Sequence, residues 1–283
     1  MKYNYPVFGR VLFVLISTFL LMLTVSPLIQ ARLAVAPLSL KLDVKPGETA
    51  TADLTVHNTG QSQVEVNVRL VDWWRTPGGN LQLLAPGTRD RSCAEWLLYS
   101  PNTLTMKPGE RKRLTVEVEV PEEAEGDHWA MLLVTERPKA VEEEQPVTTR
   151  ITVNYAVTVL QRDPTAGGGQ GKITNIELTG GAEDPSEPLS LSVRFKNTGP
   201  VHLQTTGRVE IRNLQGETVR SIDINKFPTL PGEEHVLSVE TPEETSPLET
   251  GTYYAIVVMD FGGDHLVQGG LPLEIGGTGP RSD

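Results

Sequence analysis

The chain of 283 residues has a single cysteine, Cys93, so no disulfide can form within it. Its cores must hold without covalent staples, even if the chain is exported. A positive excess is also missing. Lys and Arg number 25 against 36 Asp and Glu, a formal charge of −11, which excludes the electrostatic footprint of a nucleic-acid binder. The five histidines (His57, His128, His202, His235, His265) are scattered. None stands at metal-ligand spacing from another histidine or from Cys93, so no metal site and no cofactor are expected. Asp264-His265 has no serine or cysteine nucleophile in an elbow context beside it, and no catalytic residue is assigned. The glutamate runs at 122–125 and 142–144 lack the interleaved Gly and Asn of a calcium loop and read as solvated faces. Gly167 to Gly171 is followed by no helix and no P-loop lysine, so it is a linker rather than a phosphate cradle. Beyond residue 31 no run is long and apolar enough to span a membrane, and no helical periodicity is found.

At the N-terminus, Lys2 and Arg10 precede an apolar run from Val11 to Val25, closed by Pro27 and by Ile29-Gln30-Ala31. This is the layout of a signal peptide over residues 1–31, with an uncleaved anchor as the alternative. Either way the remainder is extracytoplasmic: periplasm, cell envelope or secreted. Removing Lys2 and Arg10 takes the charge from −11 to −13. The last residues, 277–283, read as a flexible tail.

What the chain does contain is a repeat of itself. PGERKRLTVEVEVPEEAEGDHWAMLLVTE (108–136) is echoed by PGEEHVLSVETPEETSPLETGTYYAIVVMD (231–260), and LTVHNTG (54–60) by VRFKNTG (193–199). A module of roughly 110 to 130 residues thus occurs twice. Within it, short alternating runs are separated by Gly/Pro turns. HWAMLLV (128–134) is uninterrupted and predicts a central strand covered on both faces, while 148–161 alternates at Ile151, Val153, Tyr155, Val157 and Val159. The pattern predicts an all-β chain of two immunoglobulin-like β-sandwiches in tandem, at 36–162 and 172–276, joined by a Gly-rich linker at 163–171. In the second module Gly251-Thr252-Tyr253-Tyr254-Ala255 resembles a tyrosine corner; the first has His128 at that position, where an imidazole would make a similar bond. Neighbouring tryptophans on a strand face opposite ways, so of Trp73 and Trp74 one is expected in the core. The other, expected to be Trp74 beside Arg75, is either covered by the 76–90 loop or forms a contact patch. Cys93 is expected to be a buried, inert thiol.

The residues WAMLLVTERP and VTTRITVNYAVTVLQRDP, with Asn58 and the Pro108-Gly109-Glu110 turn, resemble the periplasmic pilus-chaperone family over about residues 36–162. That resemblance implies that Ile151, Val153, Tyr155 and Val157 lend apolar side chains to a fibre subunit, and that Arg150 grips the subunit's terminal carboxylate. A second basic residue is expected on the first strand; Leu42 stands there, with Lys41 and Lys45 beside it. Over its full length the chain is also similar to two-domain proteins associated with WxL cell-surface proteins, through its Asn-Thr-Gly and Pro-Gly-Glu turns and the GTYYAIVVMDFGG stretch. The first resemblance implies a partner protein at an edge strand, aiding assembly of surface fibres. The second implies a surface adhesion or cell-wall-binding scaffold. A non-enzymatic binding protein is expected on both, with a carbohydrate-active accessory module centred on the tryptophans as the remaining alternative.

Overall fold

The computed structural model describes residues 32–137, 153–184, 187–242, 246–263 and 265–276. The signal segment, Arg150, Ile151 and the C-terminal tail lie outside the described residues. The chain is all-β, and among the described residues its helical content is one short 3-10 turn at Ala94–Trp96. The alternation read from the sequence makes two sandwiches, each with its own apolar cluster between its sheets.

In the first sandwich, one sheet has the order β1-β3-β8-β6, built from β1 (Leu33–Ala36), β3 (Thr49–Asn58), β8 (Arg111–Glu119) and β6 (Leu97–Ser100). The facing sheet runs from β2 (Ser39–Asp43) through β10 (Asn154–Arg162), β9 (His128–Glu136) and β4 (Val64–Arg75) to β5 (Leu81–Leu84), with β7 (Thr103–Met106) also against β4. The chain therefore changes sheets between β1 and β2. β2 pairs with β10 in parallel, from Ser39 opposite Thr158 to Asp43 opposite Arg162. In the second sandwich, β11 (Gly171–Gly180), β12 (Ser190–Asn197) and β15 (Glu234–Glu240) face a sheet of order β14-β13-β16-β17. Its strands are β13 (Leu203–Arg212), β14 (Thr218–Thr229), β16 (Gly251–Asp260) and β17 (Val267–Ile275).

The sequence echo corresponds to one lock made twice. The amide of Asn58 donates to Ser62 O, Met106 O and Lys107 O, while its Oδ1 accepts from Gly60 N–H. Asn197 repeats this, donating to Val201 O and Thr229 O and accepting from Gly199 N–H. In each copy the Pro-Gly-Glu turn docks on that asparagine. Gly109 N–H donates to Asn58 O at 2.9 Å and Gly232 N–H to Asn197 O at 3.1 Å, with the glycines at φ +74° and +79°. Both asparagines are fully buried, and a buried amide is tolerated only when its donors and acceptor are satisfied. The corner motif also recurs. Tyr253 Oη donates to Glu249 O at 3.1 Å, and in the first sandwich His128 Nδ1 lies 3.1 Å from Gly126 O.

Two glycines of the 167–171 run are set by packing. A Cβ on Gly171 would come within 2.3 Å of the Phe195 ring, and one on Gly169 within 2.5 Å of Leu203.

Candidate functional site

Side chains alternate across a strand, so each sheet of the first sandwich has an inner and an outer face. On β9, Ala130, Leu132 and Val134 point into the main cluster. Trp129, Met131 and Leu133 point out and join Val71, Trp73 and Leu160 in a second apolar cluster. Leu230 of the second sandwich closes that cluster, which explains why β9 reads as an uninterrupted apolar run. Trp73 is the inward member of the tryptophan pair in the sense of burial, but it faces this second cluster rather than the main core.

Along the outer face a transverse row crosses the sheet. Lys41 pairs with Leu160, Leu160 with Trp129, and Trp73 with Leu83. The two indoles are tied across β4 and β9, Trp129 Nε1 donating to Trp73 O at 3.0 Å and Trp73 Nε1 to Ala130 O at 3.1 Å. Between this row and the second sandwich lies a cleft of about 190 Å³, lined by Lys41, Trp73, Arg75, Trp129, Leu160, His202, Gln204 and Leu230 among others. Its two charged residues, Lys41 and Arg75, are both cationic. Burial first, and then the charges of Lys41, Arg162 and Arg75, hold the His202 imidazole down to about 4. At neutral pH the cleft therefore combines ammonium and guanidinium groups with a neutral ring over an apolar floor. That chemistry suits a carboxylate attached to an apolar side chain.

The sequence did not single out this cleft, because its walls come from β2, β4, β9, β10 and the second sandwich. One signal was present: Lys41, noted beside the position where the family resemblance expects a basic residue. Leu42, at that position, is buried in the main core.

The sequence-derived site residues are dispersed. Arg150 and Ile151 lie outside the described residues. Val153 is 40% exposed, Tyr155 is half-buried with its hydroxyl donating to Leu33 O, and Val157 and Val159 are fully buried in the first sandwich's core. Trp74 is half-buried on β4, two strands away from β10, so the structure does not bring it to the other residues. The loop after β5 covers it. Asp72, almost wholly buried, accepts from Thr88 N–H and Arg89 N–H, which sets the Arg89 guanidinium 5.3 Å from the Trp74 ring centroid.

β10 has β9 along one side for its whole length, but β2 accompanies it on the other side only from Thr158 onward. Among the described residues no strand pairs with Asn154 to Val157 on that side.

A seam joins the sandwiches next to the cleft. Asp127, at 2% exposure, accepts from His202 N–H of the second sandwich at 2.7 Å and from Asp163 N–H at 3.0 Å. Its own N–H donates to Pro200 O at 2.8 Å, and Val236 N–H donates to Pro77 O at 3.2 Å. Burial, the largest influence, raises the Asp127 carboxyl above its ordinary value.

His202 makes the seam sensitive to acid. Its folded value of about 4 lies below the ordinary 6.5, so the unfolded chain takes up a proton that the folded chain refuses. The stability is whole above pH 6.5 and is lost as pH falls from 6.5 toward 4. Asp127 acts in the opposite sense, since a raised carboxyl favours the folded state as it protonates. His202→Gln is therefore expected to flatten the decline of melting temperature between pH 7 and pH 5. An unchanged slope would assign that decline to His128 and His235, whose imidazoles burial also lowers.

Cys93 is fully buried, and burial pushes its thiol up and out of reactive range. Among the described residues no group of three His, Cys, Asp or Glu is placed to hold a metal ion.

No protein-family model matches the chain, and no curated protein matches it. Among solved structures it is similar to a chain of a chaperone–tip adhesin complex in CFA/I fimbriae biogenesis, at 11% identity over 87% of this chain and 99% of that one, with TM-score 0.48. It is similar to the E. coli chaperone DraB at 14% identity over 86% and 96%, TM-score 0.42. It is similar also to a chain of the CsuC–CsuE chaperone–tip adhesion subunit complex of Acinetobacter baumannii archaic Csu pili, at 12% identity over 73% and 90%, TM-score 0.42.

Proposed function

We propose that the protein is a non-enzymatic, extracytoplasmic binding protein that pairs through a sheet edge with another surface protein and assists assembly of surface fibres. The observation that carries this reading is the bare side of β10 from Asn154 to Val157, ending where the cationic cleft begins. An extended segment adding there gains backbone hydrogen bonds with little rearrangement. Its terminal carboxylate would sit against Lys41 and Arg75, and its last side chain on the Trp73–Trp129 floor. Because the cleft lies toward the C-terminal end of β10, such a segment runs parallel to β10. Arg150 and Ile151, outside the described residues, are assigned to the partner site in this reading, and Val153 supplies its exposed apolar side chain.

The complete burial of Val157 and Val159 favours a second reading, in which the strand only completes its own core and the protein is an adhesion module binding through its loops. Val153→Asp, Arg150→Ala and Lys41→Ala separate the two. The surface protein that co-purifies with the unmodified chain is expected to be lost from Val153→Asp while melting temperature is kept, since Val153 is already exposed. Retention of that protein by all three variants would remove the edge-pairing mechanism and leave the loop reading.

A further inference from the structure

Two alternations meet in the first strands, and they disagree. In β1 the odd residues Leu33 and Val35 are buried while Ala34 and Ala36 are exposed; in β2 the even residues Leu40 and Leu42 are buried. All four buried residues belong to the main core of the first sandwich. Successive side chains on a strand face opposite ways, so one uninterrupted strand cannot bury both sets in that core. The parity changes between Val35 and Leu40, where the chain crosses from one sheet to the other. Leu38, which belongs to the even set, is 52% exposed at the crossing.

Without the crossing, the parallel ladder would run on. Ser39 stands opposite Thr158, and Thr158 N–H donates to Leu38 O at 3.0 Å. Continued two residues at a time, the same pattern takes Ala156 N–H to Ala36 O and Asn154 N–H to Ala34 O. Those are the groups on the bare side of β10, so a straight strand would cover it. Instead Leu33 to Ala36 pair with Asn58 to Thr55 of β3, and Thr59 N–H donates to Arg32 O at 2.8 Å. The Tyr155 hydroxyl, reaching across from β10, donates to Leu33 O and pins β1 in the facing sheet. Straight continuation would turn Leu33 and Val35 outward and put Ala34 and Ala36 inside, replacing two large buried side chains with two small ones.

We infer that Leu33 and Val35 are positioning residues for the partner site: by drawing residues 33–36 into the facing sheet, they keep the chain's own strand off Asn154 to Val157. This rests on the reading above that the partner pairs there. The edge is open because the sequence places its large apolar residues out of step, and the chain's own residues 34–38 are the built-in competitor for it.

The test exchanges neighbours without changing composition. Leu33→Ala, Ala34→Leu, Val35→Ala and Ala36→Val together place every leucine and valine from residue 34 to residue 42 at an even position. In the unmodified chain the Thr59–Arg32 bond fixes the alternation, so His57 and Thr55 N–H bond to Ala34 and Ala36. Hydrogen exchange of the full chain is expected to show protection moving in the fourfold variant. Asn154 and Ala156 slow at least ~10-fold and Thr55 and His57 quicken at least ~10-fold, while Leu132 in the core is unchanged. A role confined to packing would quicken Thr55 and His57 and slow nothing. A folded variant in which Asn154 and Ala156 exchange as before overturns the inference. If the fourfold variant does not fold, Val35→Ala with Ala36→Val moves the crossing back by two residues. Ala156 alone is then expected to slow, and no slowing there overturns the inference equally. Partner recovery separates the inference from the reading beneath it. Loss of the co-purifying protein beside a protected Ala156 is expected on both. Undiminished recovery beside a protected Ala156 would leave the inference standing and remove edge pairing at β10.

Discussion

Phe195→Ala is expected to destabilise the second sandwich by about 3–5 kcal/mol, enough to unfold a domain of marginal stability. Phe195 is wholly buried on β12. It lies edge-on to Phe227 at 5.9 Å between centroids and tilted against Phe261 at 6.1 Å. Its ring also fills the space that Gly171 leaves by lacking a Cβ, so truncation opens a cavity bordered by a backbone position with nothing to fill it. The four tryptophans, Trp73, Trp74, Trp96 and Trp129, all belong to the first sandwich, which gives the two domains separate signals. Far-ultraviolet circular dichroism follows both, and tryptophan fluorescence follows the first. If the sandwiches unfold independently, the variant shows an early dichroism transition with the fluorescence midpoint in place. A common shift of both signals would mean that the seam couples them. A loss below about 1 kcal/mol would contradict the cavity argument.

Much of the fold was legible because its determinants are local. Period-two alternation and Gly/Pro turns mark strands wherever one face is buried, and they located β3, β4 and β8, while continuous apolar runs between turn signals located β9 and β16. The Asn-Thr-Gly and Pro-Gly-Glu echoes were legible as repeats, although nothing in the spacing reveals that each pair is one hydrogen-bonded lock. The continuous run of β9 correctly implied cover on both faces, but what covers the outer face was hidden. Part of it is Leu230, nearly a hundred residues along the chain. The same holds for the cleft. Lys41, Leu160, Trp129, Trp73 and Leu83 form one row only because β2, β10, β9, β4 and β5 are adjacent in space, an order no periodicity encodes. Trp74 illustrates the limit in miniature. Parity separated it correctly from Trp73, yet only the packing of Arg89, placed by Asp72, accounts for its cover.

Asp127→Ala is expected to release the sandwiches from their fixed relation while leaving each one folded. In the unmodified chain Oδ2 accepts from His202 N–H and Oδ1 from Asp163 N–H, so one carboxylate holds both the second sandwich and the end of β10. The corner bearing it is pressed close. Gly126 has φ +72°, and a Cβ there would come within 2.4 Å of Pro200 O. Alanine leaves two buried amides without acceptors, each costing about 1–3 kcal/mol. The sum overstates the loss, because burial already disfavours the ionised carboxylate, as the raised Asp127 value records. Asp127→Asn is the informative companion. Its single carbonyl oxygen satisfies one amide and turns an NH2 group toward the other, so it should not restore the seam fully. Hydrogen exchange is expected to quicken at the amides of His202 and Asp163 in both variants, and to remain slow at Leu132 in the core of the first sandwich. Undiminished protection at His202 would place the restraint elsewhere, on the Leu230 contact and the Val236–Pro77 bond. The cleft would then keep its shape without Asp127, and the two alanine variants Asp127→Ala and Lys41→Ala would differ in partner recovery. If the carboxylate is the restraint, both lose the partner, one by displacing the wall that bears His202 and the other by removing the charge it faces.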